Sequence, residues 1–372
     1  MRKLSELNLQ KYRDKVCLLR VDLNVEKEEE KDNFRLEAVL PTIRYLLAHD
    51  IRVVLLSHRG RPTGKDFALS LRPFAKGIGK RIREKVEFIP EFNFKNIKQK
   101  VGFTNQRTKN HLFLLENLRF LPGEDNNDKR LARQLASIGD FYVNDAFAVS
   151  HRSNASIDAI TRFIPSYAGL LLEKEVGCLS VAVERQPHPF IIIFGGAKVS
   201  DKLDVMKRFS KKADCFLMAG GVANTFFAAE GLPMGKSLVD WNRILFAKQM
   251  QKEAKILLPI DTVINHECVL DIGPSTIQRF QAQIVKARAI IWNGPPGYFA
   301  IKGCENGTRE VWRAILTNKR ARTIVGGGET TAALHKYFKN AKIPPNIFIS
   351  TGGGAMLQFL AGKKLPGIEA LK

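Results

Sequence analysis

The chain has 372 residues, which favours two hydrophobic cores over one, and its 45% hydrophobic and 26% charged content is that of a globular protein. No apolar run reaches about 18 residues, which excludes a helical membrane span. A formal net charge of +22 raises nucleic-acid binding as a function class. The excess is spread evenly over both halves, without a basic tail or block, so it reads as solvated surface plus a site for anionic ligands.

The start, Met1-Arg2-Lys3-Leu4-Ser5-Glu6, lacks the apolar core of a signal peptide. The five cysteines are scattered, with no Cys-x-x-Cys pair, and read as reduced thiols. Both observations lead to the expectation of a cytoplasmic protein.

In the first half, Val16–Asn24 reads as a strand with a polar end, Arg20-Val21-Asp22-Leu23-Asn24. The charged run Glu26–Asp32 reads as an exposed loop without assigned function. Arg35 opens a helical run, Leu36–Leu47. Arg52–His58 is the next strand, followed by Arg59-Gly60-Arg61-Pro62. The lysine-rich stretch 83–110 reads as surface elements. Leu112–Leu115 leads into Glu116-Asn117-Leu118-Arg119, and Phe141–Phe147 is followed by His151-Arg152. Arginine forks pair bidentately with carboxylate and phosphate. Arg20, Arg35, Arg61, Arg119 and Arg152, with His58, are expected to gather around one small, multiply charged acid.

Tyr167–Glu184 reads as a helix of about four turns, ended by Arg185-Gln186-Pro187-His188-Pro189. A helical connector between two ligand domains is expected to act as a hinge.

The second half repeats one unit, an apolar strand that turns on glycines into a helix. Phe190–Phe194 runs into Gly195-Gly196-Ala197-Lys198, with a helix expected over Val199–Phe209 and Lys198 and Lys202 on one helix face. Cys215–Met218 runs into Ala219-Gly220-Gly221, Thr323–Val325 into Gly326-Gly327-Gly328-Glu329-Thr330, and Ile347–Thr351 into Gly352-Gly353-Gly354. Ala289–Trp292 ends in Asn293-Gly294-Pro295-Pro296-Gly297. In an open parallel sheet the carboxyl ends of the strands share one edge, where ligands bind. Helix N-termini at that edge favour phosphate, so the glycine turns are expected to form a side-chain-free floor for a polyphosphate.

Other patterns are decoys. Gly231-Leu232-Pro233-Met234-Gly235-Lys236-Ser237 is one residue short of a phosphate-binding loop and follows a helix, not a strand. No histidine pair has metal-ligand spacing on a helix, and no Gly-x-Ser-x-Gly elbow occurs.

Taken in order, these segments resemble the phosphoglycerate kinase family. The resemblance runs from Arg20-Val21-Asp22-Leu23-Asn24-Val25 and Leu56–Pro62 through Leu115–Phe120, Tyr142–Phe147 and His151-Arg152. It continues through Gly195–Lys202 and Trp292–Pro295 to Ser350–Ala355 and Leu365-Pro366-Gly367-Ile368. It covers essentially the whole chain.

The resemblance implies an α/β fold of two Rossmann-like, doubly wound parallel-sheet domains facing across a cleft and joined by a helical hinge at about 167–185. Residues 1–168 would bind 3-phosphoglycerate, with about 357–372 packing back on them, and 169–356 would bind nucleotide. The implied activity is reversible, magnesium-dependent phosphoryl transfer between 1,3-bisphosphoglycerate with ADP and 3-phosphoglycerate with ATP, by hinge closure in a monomer. The substrate residues carried over are Asp22, Leu23, Asn24, Arg35, His58, Arg59, Gly60, Arg61, Arg119 and Arg152. Nucleotide would lie on Gly195, Gly196, Ala197, Lys198, Lys202, Gly220, Gly221, Asn293, Pro295, Gly327, Gly328, Glu329 and Thr330, with Glu329 on the nucleotide-bound magnesium. Arg35 and Lys202 would neutralise the migrating phosphoryl, helped by N–H groups near Gly328 and Gly353.

Three positions depart from the family pattern. Glu329 stands where Asp is usual, Ala300 where a ribose-binding Glu is usual, and Ala219 where a third glycine is common. They motivate two rivals: a kinase with relaxed nucleotide choice, and a non-catalytic nucleic-acid- or nucleotide-binding protein retaining the fold.

Overall fold

The computed structural model describes residues 1–24, 34–102, 111–338 and 342–372. The acidic run Glu26–Asp32, Val25 ahead of it and the end of the lysine-rich stretch (103–110) lie outside the described residues.

The chain forms two compact units, Met1–Gly177 with Lys364–Lys372, and Cys178–Lys363. In the first, β1 (Val16–Arg20), β2 (Arg52–Leu56), β3 (Val86–Ile89), β4 (Leu112–Leu115), β5 (Phe141–Asn144) and β6 (Ser166–Ala168) make a sheet of order β3-β4-β2-β1-β5-β6. Every pairing in it is parallel. Parallel strands covered on both faces read as unbroken apolar runs. Leu19, Val53 and Leu114 pack on one face, while Leu18, Val54 and Phe113 pack on the other. The helices of this unit include α1 (Phe34–Leu47), α2 (Arg72–Ile82), α3 (Phe94–Gly102) and α4 (Lys129–Ala136). α2 supplies Phe74 and Ile78 to the first face, and α3 supplies Ile97 and Val101 to the second.

The connecting helix, α5 (Leu170–Glu184), starts after β6, so Tyr167 lies in a strand rather than at the helix start. Asp145 caps it, with Oδ1 accepting from the N–H groups of Leu171 and Leu172 at 2.9 and 3.1 Å. Leu171 joins the first core, and Glu173 accepts from the Ser5 hydroxyl at 2.6 Å. These contacts bind the early turns of α5 to the first unit, so the boundary expected at 168/169 falls at 177/178.

The second unit is built around β7 (Phe190–Phe194), β8 (Cys215–Met218), β9 (Ile256–Leu257), the antiparallel pair β10 (Thr262–Asn265) and β11 (Cys268–Ile272), β12 (Ala289–Asn293), β13 (Arg322–Gly326) and β14 (Ile347–Ile349). Its main sheet, of order β14-β13-β12-β7-β8-β9, is parallel throughout. Its helices are α6 (Leu203–Phe209), α7 (Gly220–Ala229), α8 (Ile244–Glu253), α9 (Pro274–Lys286), α10 (Asn306–Thr317), α11 (Gly328–Phe338) and α12 (Gly353–Leu360). Trp292 and Trp312 are fully buried on one face, 6.0 Å apart between ring centroids.

The returning segment starts at Lys364, not near residue 357. α12 packs against α6, Met356 lies beside Gly326, and Lys363 pairs with Asp204 at 2.5 Å, all within the second unit. Beyond that point α13 (Pro366–Glu369) belongs to the first unit. There Gly367 accepts from the Asn144 amide at 3.1 Å, and Arg2 N–H donates to Leu371 at 2.9 Å. Among the described residues, no helix is long and apolar enough to cross a membrane.

Candidate active site

Each sheet reverses its strand order beside a central strand, between β1 and β5 in the first unit and between β7 and β12 in the second. In α/β sheets the carboxyl ends at such a point form the binding crevice.

In the first unit, the segment after β1 turns on Asp22, whose Oδ1 accepts from Asn24 N–H at 3.0 Å. Arg35, in the first turn of α1, donates through one nitrogen to Asp22 Oδ2 at 2.9 Å and to the Asn24 carbonyl at 3.0 Å. Asn24 Oδ1 in turn accepts from Gly60 N–H at 2.8 Å, and Gly60 has φ +62. Leu23 is buried and takes part through its backbone, its N–H donating to Ser57 Oγ at 3.0 Å.

Arg119, 8% exposed, donates to Asp125 at 3.2 Å and to the Gly60 carbonyl at 2.5 Å. Arg61 is exposed and Arg152 half-buried. Burial and the like charges of Arg119 and Arg61 lower the Arg152 pKa. Burial, then Arg20, Arg119, Arg152 and Arg35, push His58 well below its ordinary value, so its ring is neutral. Arg35, Arg119, Arg152, Arg61 and His58 are thus electrostatic neighbours.

Two expected members behave differently. The Arg59 side chain reaches the Ala68 carbonyl at 3.2 Å and lies 5.6 Å from the Phe74 ring. Arg20 is 1% exposed with its donors turned inward, so it is no ligand contact. Sequence reasoning missed Asn117, fully buried, whose Oδ1 accepts from the N–H groups of Arg59 and Arg119 and whose amide donates to the carbonyls of Arg59 and Leu69. Its position just after β4 was the available signal.

In the second unit the glycine turns pack on one another. Gly195 N–H donates to the Asn293 carbonyl at 3.1 Å, and Gly196 N–H donates to Pro295 at 2.9 Å. A Cβ on Gly195 would strike the Pro295 carbonyl, one on Gly221 the Ala197 carbonyl, and one on Gly353 would lie 2.8 Å from Gly327 Cα. These glycines exist for close backbone approach, and the amides of Gly195 and Gly196 are engaged by neighbouring carbonyls. Gly328 and Gly354 differ, because a Cβ on either meets nothing within 4 Å. They lie at the starts of α11 and α12, and α12 has no side-chain cap. Uncapped N–H groups at a helix start favour an anion.

A cavity of about 550 Å³ opens at these helix starts. Of the expected residues, Gly196, Ala197, Lys198, Lys202, Asn293, Gly327, Gly328, Glu329, Thr330 and Gly353 line it; Gly195, Gly220, Gly221 and Pro295 do not. Ser200, Asp201, Asp204, Gln358 and Lys363 also line it and were not anticipated. A second cavity of about 300 Å³ shares Ala197, Lys198 and Ser200 with the first and adds Leu238, Val239, Asp240, Asn242 and Arg243.

The helix expected from Val199 starts at Leu203. Residues 200–202 form a turn, with Lys202 N–H donating to the Val199 carbonyl at 2.8 Å. Lys198 and Lys202 therefore do not share a helix face. Instead Lys202, 5% exposed, folds back so that Nζ donates to the Lys198 carbonyl at 3.1 Å. Burial lowers its pKa, against the pull of Asp201 and Glu329.

Among the described residues no group of three or more His, Cys, Asp or Glu converges on a metal-sized point. The Glu329 carboxylate lines the cavity together with those of Asp201 and Asp204, and its Oε2 lies 3.2 Å from where a Gly196 Cβ would sit. A hard carboxylate beside a phosphate-sized space fits magnesium, which takes one or two carboxylates plus substrate phosphates and water. Ala300 is exposed, and Glu305 is engaged locally, accepting from Gly303 N–H at 2.6 Å. In the decoy loop, Lys236 pairs with Glu267 at 3.1 Å.

A model of the phosphoglycerate kinase family matches residues 7–363. The phosphoglycerate kinase of Moorella thermoacetica is 41% identical over 403 aligned positions, covering 100% of this chain and 99% of that protein. That of Lacticaseibacillus casei is 41% identical over 389 positions, covering 96% of each. Among solved structures, the phosphoglycerate kinase of Coxiella burnetii has TM-score 0.81 at 34% identity, covering 99% of this chain and 98% of that one. The enzyme of Pyrococcus horikoshii has TM-score 0.87 at 31% identity, covering 100% and 98%. The family model, full-length relatives and shared architecture agree with the basic edge and glycine edge described above, and the chain belongs to the phosphoglycerate kinase family.

Proposed function

We propose a division of labour for the family's reaction, in which the basic edge of the first unit holds the acid and the glycine edge of the second holds the nucleotide. The activity itself is that of a phosphotransferase with a carboxyl group as acceptor: reversible transfer between 1,3-bisphosphoglycerate with ADP and 3-phosphoglycerate with ATP, a step of glycolysis. The non-catalytic alternative is not favoured, since relatives of full length carry the kinase name and the candidate phosphate lysines and substrate-side arginines are all present.

The observation that carries the division is the cavity where Lys202, Glu329 and the open glycines at the starts of α11 and α12 meet. Lys202 and the N–H groups at Gly328 and Gly353 neutralise the phosphoryl group from the nucleotide side, and Arg35 from the acid side. The acceptor in the ADP direction is an ionised phosphate oxygen, so no strong general base is required. Glu329 would hold magnesium, which when bound supplies charge neutralisation between nucleotide phosphates. Asp22, Asn24, His58, Arg61, Arg119 and Arg152 orient the acid. Closure about α5 is our reading of how the substrates are brought together and water is excluded. A monomer in the cytoplasm fits this reading.

The test is equilibrium binding of each substrate alone. Arg152→Ala is expected to weaken 3-phosphoglycerate and leave MgADP unchanged, and Lys202→Ala to do the reverse. Crossed effects would contradict the division.

A further inference from the structure

The first unit holds a buried polar chain that the proposed substrate contacts do not use. Arg20, at the end of β1, sends its guanidinium in three directions. Nε donates to Ser156 Oγ at 2.9 Å, one terminal nitrogen to the Val21 carbonyl at 2.5 Å, and the other to His58 Nδ1 at 3.2 Å. A guanidinium has donors only, so His58 Nδ1 accepts. The proton of the neutral ring then sits on Nε2.

Arg20 is itself held in place. Ser156 Oγ, accepting from Arg20, donates to Glu124 Oε1 at 2.5 Å, and Ser156 N–H donates to Glu124 Oε2 at 3.1 Å. Arg20 and Glu124 are each 1% exposed and Ser156 is fully buried. Buried, oppositely charged groups bridged by a hydrogen-bonded hydroxyl persist only when every member is satisfied. The next residue, Asp125, holds Arg119 at 3.2 Å, so one short segment orients both Arg119 and the chain to His58.

We infer that the buried chain Glu124–Ser156–Arg20 fixes His58 as the neutral Nε2–H tautomer, so that His58 meets the acid substrate as a hydrogen-bond donor rather than as a charge. This rests on the reading of His58 as a substrate contact. The ring has Arg20, Arg35, Arg119 and Arg152 about it. A protonated ring would add a fifth positive charge and repel the arginines, whereas a neutral donor adds direction without repulsion. Burial and those four cations keep the ring unprotonated, while the acids of the network, Glu124, Asp22 and Asp125, are committed to Ser156, Arg35 and Arg119. Arg20, Ser156 and Glu124 are positioning residues, since none of them needs to touch substrate.

The experiment is long-range proton–nitrogen NMR of His58 in the folded, nitrogen-15-labelled chain, with Ser156→Ala and Glu124→Gln beside the wild type. Expected is a single Nε2–H pattern in the wild type that does not titrate between about pH 5.5 and 8. Ser156→Ala is expected to mix the tautomers and raise KM for 3-phosphoglycerate about tenfold, the size of one lost oriented hydrogen bond, with a much smaller change in kcat. Glu124→Gln tests the same chain with side-chain volume kept. An Nδ1–H pattern or a protonated ring in the wild type overturns the inference. So does an unaltered Nε2–H pattern with unaltered KM in the variants. If instead the wild-type tautomer is as assigned but His58 signals ignore saturating 3-phosphoglycerate, the substrate reading of His58 fails and the tautomer assignment stands.

Discussion

Oε2 of Glu329 lies 3.2 Å from the position that a Cβ on Gly196 would occupy, so this carboxylate faces the turn that follows the central strand of the second sheet. Glu329→Gln keeps the volume and removes the charge. The magnesium concentration for half-maximal rate should rise about tenfold, while Glu329→Asp should keep activity with a smaller shift. Magnesium titrations at fixed nucleotide check this, and an unchanged requirement in Glu329→Gln would remove this residue from the metal.

The glycines of the same edge divide into two kinds, and substitution should separate them. Gly328→Ala adds a methyl that meets no protein atom, so stability should hold while the affinity for ADP falls. Gly195→Ala drives a methyl into the Pro295 carbonyl and should destabilise the second unit by about 1–3 kcal/mol. Thermal denaturation with and without ADP distinguishes them. A stability loss in Gly328→Ala equal to that in Gly195→Ala would contradict the distinction.

Asp145 caps α5 from a fully buried position, and burial raises its pKa from 3.8 to about 7. Between those values the folded chain keeps a proton that the unfolded chain has lost. Stability therefore falls as pH rises from about 4 to about 7, and is level above that. Asp271, raised by burial to about 7, acts in the same direction. Asp145→Asn keeps an acceptor for Leu171 and Leu172, so it should flatten part of this fall. Melting temperatures at about pH 5 and pH 8 provide the comparison, and parallel behaviour of variant and wild type would exclude Asp145 as a source of the slope.

Arg35→Lys keeps the charge but puts a single ammonium in place of a planar guanidinium, one nitrogen of which already donates to both Asp22 and the Asn24 carbonyl. We expect kcat/KM for 3-phosphoglycerate to fall at least about tenfold, with KM for ATP little changed. An equal loss for both substrates would argue that the substitution disturbs the unit as a whole.

The two sheets and the contrast between their edges were legible because a parallel strand announces itself as an apolar run and its carboxyl end is a fixed place. Which glycines face a ligand was not legible, because Gly195 and Gly328 look alike until the neighbouring turns are in position. The helix after Gly196 was read four residues too early. Val199 has helical spacing with Leu203 and Met206, yet it is buried in a turn that brings Lys202 back over Lys198. Arg20 read as one of the arginines gathered around the acid because its partners, Ser156 and Glu124, lie far along the chain. The unit boundary was not legible because the early turns of α5 are held to the first unit by Leu171, Glu173 and the Asp145 cap, contacts between residues distant in the chain.

The most direct measurement of the whole account is the steady-state rate of ADP formation from MgATP and 3-phosphoglycerate, with Lys202→Ala beside the wild type. The account predicts a robust wild-type rate, with kcat lowered at least about a hundredfold in the variant through loss of charge stabilisation at the migrating phosphoryl. A folded wild type without turnover, or a variant as fast as the wild type, would contradict it.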